Sequence, residues 1–219
     1  MQNKKTSTLA FCGICIALNM VLGFVGASMK LPFYLDTIGT FLTAAVFGPF
    51  YGAVVGGLTN IISALILGPK DIPFALVSIA IGLIVGFVVK GRKNYDLKTA
   101  IICGLVCGVV APLIGTPIGI AVYGGLTGTV GDVLFLFLKQ SGTSIFAASF
   151  IPKLINNLMD KTLASLLVFL VIKNCHSSLN QIWKNKFLSP STKEQEIIRQ
   201  RIIPALFAIL KRKRWGGVL

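Results

Sequence analysis

The stretch KLPFYLDTIGTFLTAAVFGPFYGAVVGGLTN, residues 30–60, decides how the chain folds. A proline, two aromatics and an aspartate stand at the mouth of an otherwise apolar hairpin that turns at Gly48-Pro49. A carboxylate within a segment at bilayer depth costs about 2.5–3.5 kcal/mol on insertion scales, so Asp36 needs a cap, a partner, water or a ligand to hold its place. Asp is well suited to cap the helix that begins near residues 35–36, and a capping role is compatible with direct ligand contact.

The rest of the chain carries the same apolar character. Of its 219 residues, 54% are hydrophobic and only 13% charged, with a mean hydropathy of +0.82. A soluble domain averages about 25% charged residues. Apolar runs recur to about residue 173, each long enough, or paired closely enough, to cross a hydrocarbon core of about 30 Å. This composition specifies an all-α membrane protein, a bundle of six transmembrane helices filling residues 1–173. The net charge of +14 sits at the ends of the apolar runs, so it reads as topology and not as a nucleic-acid surface. Lys4 and Lys5, the turn GRKNYDLK at 91–98 and the basic tail mark the cytoplasmic side, with both termini there. The first apolar run is too long for a cleaved signal segment and lacks a small-residue cleavage site, so it stays as helix one.

Helix one covers about residues 6–29. Helix two starts near 35–36, stops at Gly48-Pro49, and is short for a span. Helix three follows at about 50–67. A single kinked helix over 35–67 would give five spans, but it would be about 50 Å long, far beyond the hydrocarbon thickness. Helix four takes about 73–90, and helix five about 98–122, with Pro112 and Pro117 inside it. Residues 123–151, rich in Gly, Thr and Ser, form an elaborate outer loop with short or re-entrant helices. Helix six runs over about 152–173. Residues 174–219 are a basic cytoplasmic tail in which Ile198, Ile202, Ile203, Leu206, Ile209 and Leu210 fall at helical spacing before KRKRW. That pattern suits an interfacial amphipathic helix on the anionic lipid of the inner leaflet, and Pro204 in its middle suits a plain solvated tail equally well.

Small residues four apart recur on these helices: Gly13 and Ala17, Gly52 and Gly56, Gly82 and Gly86, Gly104 and Gly108. Such spacing lets helix backbones approach closely in lipid, and most of the pairs serve packing within the bundle. Helix one is the exception, because Ala10, Gly13 and Ala17 form one stripe on the first helix, suited to a partner. On helix six, Asn156, Asn157, Asp160 and Lys161 interrupt an apolar run. Four polar side chains at one depth exceed what a single interhelical clamp requires, so they are candidates for ligand contact. With Tyr34, Asp36, Asn60, Tyr123 and Gln140 they face the outer side in this topology. The outer charges roughly balance, which favours a small, near-neutral polar ligand.

The cysteines lie almost wholly in apolar runs, where a free thiol packs as a small hydrophobe. The Cys12-x-x-Cys15 pair lacks further ligands, and His176 stands far along the chain beside Cys175, so no metal site and no cofactor are expected. The sequence holds no P-loop, GxSxG or HExxH pattern, and it is read as a non-enzyme.

The six-span layout, the small-residue stripe on helix one, and LPFYLDTIGT followed by GPFYGAVVGGLTN resemble the substrate-binding S components of energy-coupling factor (ECF) vitamin transporters. The last run looks like a subgroup associated with pyridoxine-type or similar ring vitamins. The resemblance implies a protein that takes its vitamin from outside and delivers it by joining a membrane scaffold subunit and two cytoplasmic ATPases. In that family an AxxxA motif on helix one docks on the scaffold; here Gly13 and Ala17, with Ala10 one turn earlier, occupy its place. The resemblance covers about residues 6–173. A different class of function, a membrane sensory or interaction module similar to the multi-span input domains of some histidine kinases, would have to act in trans, since the chain carries no kinase domain.

Overall fold

A computed structural model describes residues 4–29, 31, 33–126 and 131–174. The tail at 175–219, with Cys175 and His176, lies outside the described residues. Among those described there are seven α-helices, one 3-10 helix and no strand. The α-helices are α1 (Lys4–Ser28), α2 (Ile38–Phe47), α3 (Pro49–Leu67), α4 (Ala75–Arg92), α5 (Leu97–Tyr123), α6 (Gly131–Gln140) and α7 (Ile145–Asn174). Five of them, α1, α3, α4, α5 and α7, belong to segments long and apolar enough to cross a membrane.

The expected second span differs most from its sequence reading. Helix α2 has only 10 residues, about 15 Å, or half the hydrocarbon thickness. It begins at Ile38 with Thr37 as its N-cap, and Thr37 makes no side-chain capping bond. Asp36 is therefore not the cap expected of it, being drawn instead to a cation described below. Nearly every α2 residue is buried, and the helix packs against α1, α3, α4 and α7. It sits inside the bundle instead of along its rim.

Glycine at position 48 makes the α2–α3 hairpin possible. Its φ of +96° lies in a region that L side chains rarely adopt, and Pro49 then opens α3, where a missing N–H costs nothing. The 3-10 helix Pro69–Phe74 leads into α4. The turn from α4 to α5 is fixed by Asp96, whose carboxylate caps α5 by accepting from the Thr99 N–H and hydroxyl. The Thr99 bonds hold that carboxyl below its ordinary value. Tyr95 is buried beside it and exchanges a 2.6 Å hydrogen bond with Ser165 of α7. Burial raises its hydroxyl far above the usual phenol range.

Close backbone contact between helices explains most of the small-residue pairs. A Cβ on Gly82 would lie 2.3 Å from the Gly52 carbonyl carbon, and one on Gly86 would lie 2.2 Å from Pro49 Cα. Gly56 is equally tight against the Ser78 backbone, and Gly104 and Gly108 let α5 sit on Thr162 and Leu158 of α7. Gly13 differs, having nothing within 4 Å of such an atom. Ala10, Gly13 and Ala17 are all exposed on α1, and among the described helices α1 packs only on α2 and α3. Cys12 and Cys15 face inward on the other side of α1, packed with Val55, Phe11, Ile16 and Leu42.

Candidate binding site around a re-entrant segment

Residues 33–37 have no helical structure before α2 begins, yet they run back into the bundle alongside α1. Gly26 lies against the Phe33 and Tyr34 carbonyls, Gly23 against Asp36, and Gly39 against the Cys15 carbonyl. Asn19, which reaches the same place, is nine residues from the end of α1 at Ser28, or about 14 Å along the axis. Asp36, beside Gly23, thus lies about 7–8 Å in from the end of α1, and the first turn of α2 reaches the depth of Asn19. Irregular backbone at that depth survives only where protein covers it or where it borders a water-filled cavity.

Helix α7 supplies the other wall. Asp160 is fully buried, and its Oδ1 accepts from the Leu35 N–H at 2.9 Å. Lys161 is 3% exposed, and its Nζ donates to Asp160 Oδ2 at 2.6 Å, Thr37 Oγ1 at 3.1 Å and Asp36 Oδ1 at 3.3 Å. The same ammonium stands 5.8 Å from the centre of the Tyr34 ring, close enough for a cation–π attraction. One cation therefore serves two carboxylates. Asp160 uses both its oxygens internally, whereas the Asp36 side chain remains 38% exposed and keeps a face for something else.

A second polar group lies further along α7. A small cleft of about 10 Å3, room for one water, is lined by Asn156, Lys153 and Ser149 of α7, Asp132 and Phe135 of α6, and Gly125. Lys153 Nζ donates to Ser149 Oγ at 3.0 Å. Asn157 is turned away from this cleft, buried and donating to the Lys153 carbonyl at 2.8 Å.

The fold thus brings Tyr34, Asp36 and Asp160 together, with Asn156 and Asn157 about one turn away on α7. The other three sequence-derived residues lie elsewhere. Asn60 binds α3 to α4 through Ser78 Oγ at 2.6 Å. Tyr123 donates to Asp71 at 2.6 Å and stacks on Phe74. Gln140 is exposed at the end of α6. Lys161, one of the four polar residues of α7 that the sequence marks for ligand contact, instead joins the segment to that helix. Asn19 was missed, although an amide in the middle of an apolar span is costly enough to attract notice by itself. It is fully buried, its Oδ1 accepting from the Gly39 N–H at 2.7 Å and its Nδ2 donating to Thr40 and Thr59 at 3.0 and 3.2 Å. Among the described residues, no three His, Cys, Asp or Glu side chains are grouped to hold a metal ion.

A polar, irregular segment packed inside a helical membrane bundle is a place where a membrane protein can build a solute site. Residues 7–172 match the model of the family described as ECF transporter, substrate-specific component, and the chain belongs to that family. Comparisons with curated proteins and with solved structures find no match. Membership makes the chain a multi-pass plasma-membrane protein and a vitamin-binding transport subunit, with a small-molecule substrate and ECF scaffold and ATPase partners. It lends no support to the sensory-module alternative.

Proposed function

We propose that this chain captures a small, near-neutral ring vitamin or precursor, pyridoxine-type or similar, from outside the cell between residues 33–37 and α7. The observation that carries this reading is Asp36: a carboxylate at bilayer depth, joined to Lys161 on one side and open on the other. Tyr34 beside it offers a ring face for stacking, and Asn156 offers an amide one turn further along α7. In this reading α2 and the preceding segment together make the sixth crossing, both termini are cytoplasmic, and the chain performs no catalysis. The stripe Ala10, Gly13 and Ala17 docks on the scaffold, which carries two ATPases. Its exposure and the open space at Gly13 support that assignment, whereas the other glycine pairs are already occupied by packing.

The test begins with protein purified in detergent without added solute, denatured, and its released small molecules identified by mass spectrometry. A stoichiometric vitamin is expected. That compound is then titrated against Asp36→Ala, where a loss of affinity of about tenfold is expected for one hydrogen bond to a charged group. Unchanged affinity in both Asp36→Ala and Asn156→Ala would remove the proposed pocket.

A further inference from the structure

Helix α2 starts inside the bundle, where its first N–H groups have neither water nor preceding carbonyls to bond. Its own N-cap, Thr37, makes no capping bond. The Gly39 N–H is instead accepted by Asn19 Oδ1, so the cap comes from another helix. Four residues earlier, the Leu35 N–H is accepted by Asp160 Oδ1 from α7. Leu35 has a φ of +53°, a left-handed conformation that is unfavourable for an L residue. A hydrogen bond to a buried carboxylate is of the size needed to offset that cost.

We propose that Asn19 and Asp160 are positioning residues that suspend the ligand segment by its main chain, one from each wall. Between the two fixed N–H groups lie Asp36, Thr37 and Ile38, with Tyr34 just outside. Both anchors are fully buried, and both oxygens of Asp160 are used. Asp160 therefore acts through Leu35 and Lys161, without touching a solute. Because the anchors grip backbone, the side chains that meet a solute can change without moving the segment. This proposal rests on the reading of 33–37 as the binding segment.

The test is amide hydrogen–deuterium exchange on the full chain in lipid nanodiscs, with no solute added. In Asn19→Ala and in Asp160→Ala, peptides covering 33–41 should exchange at least roughly tenfold faster, while peptides within α5 keep their protection. Should the alanine variants fail to fold, the double variant Asp160→Asn/Lys161→Met retains an oxygen opposite the Leu35 N–H without setting the amide NH2 against an ammonium, and protection at that amide should persist. Unchanged exchange over 33–41 in folded alanine variants, faster exchange across α5 as well, or loss of protection at Leu35 in the double variant would each overturn the proposal. If the exchange pattern holds and no vitamin is released on denaturation, the vitamin reading fails while the suspension stands.

Discussion

Replacing Lys161 by methionine keeps much of the side-chain volume but leaves two carboxylates facing each other without a cation. Asp160 is fully buried, and its Oδ2 would lose a 2.6 Å partner. Breaking a buried pair from one side costs about 3–5 kcal/mol, chiefly because the surviving charge stays uncompensated. The Asp36 contact adds little, since that carboxylate is more than a third exposed and its 3.3 Å contact is partly screened. For a chain of this size such a loss lowers Tm by on the order of 10 °C. The informative comparison is the double variant Asp160→Asn/Lys161→Met, which removes the stranded charge yet keeps an oxygen for the Leu35 N–H. It should lie within about 1–2 kcal/mol of the wild type, because a paired buried charge and an apolar replacement are often near balance. Thermal unfolding followed by far-UV circular dichroism or static scattering measures all three proteins. The reasoning is refuted if Lys161→Met unfolds within 2 °C of the wild type, or if the double variant is no more stable than the single one.

Gly82→Ala should destabilise the bundle by about 1–3 kcal/mol, because the added methyl meets the backbone of α3. Gly13→Ala, where nothing lies within 4 Å, should stay within about 0.5 kcal/mol of the wild type, both read as shifts in Tm. The bulkier Gly13→Leu should leave Tm and vitamin affinity unchanged while abolishing co-purification with the scaffold subunit; retained co-purification would show that α1 does not dock there. Tyr95→Phe should cost about 1 kcal/mol by removing the hydroxyl bonded to Ser165, again measured by unfolding.

Hydropathy alone reveals the helical bundle, since each long apolar run has nowhere to go but the membrane, and Gly48-Pro49 announces its turn directly. The length of α2 was not legible. Residues 35–47 are uniformly apolar apart from Asp36 and the threonines, and nothing in that pattern separates a helix beginning at Asp36 from one beginning at Ile38. The distinction depends on Lys161, more than 120 residues away, which draws Asp36 out of the capping position. Polar residues in apolar runs single out Asp36 and Asp160, which the fold brings to the same lysine. Asn60 and Tyr123 were chosen by the side of the membrane they share, and that criterion cannot tell a side chain facing a solute from one tying two helices together. Asn19 shows the opposite difficulty. Its partners Gly39, Thr40 and Thr59 are small residues on two other helices, and only the folded chain reveals that one amide serves them all.

The short buried helix also bears on how the protein enters the membrane. Ten residues are too few for the insertion machinery to release into lipid as an independent span, so α2 must enter with α3, as a hairpin closed at Gly48. Meanwhile Asn19, already inserted, waits for Thr59, which is 40 residues behind it, or about 2–8 s at ordinary synthesis rates. Gly39 and Thr40 emerge halfway through that interval, so until α2 enters the amide has none of its native partners. A buried amide on the first helix therefore carries a cost during insertion that the finished bundle no longer shows.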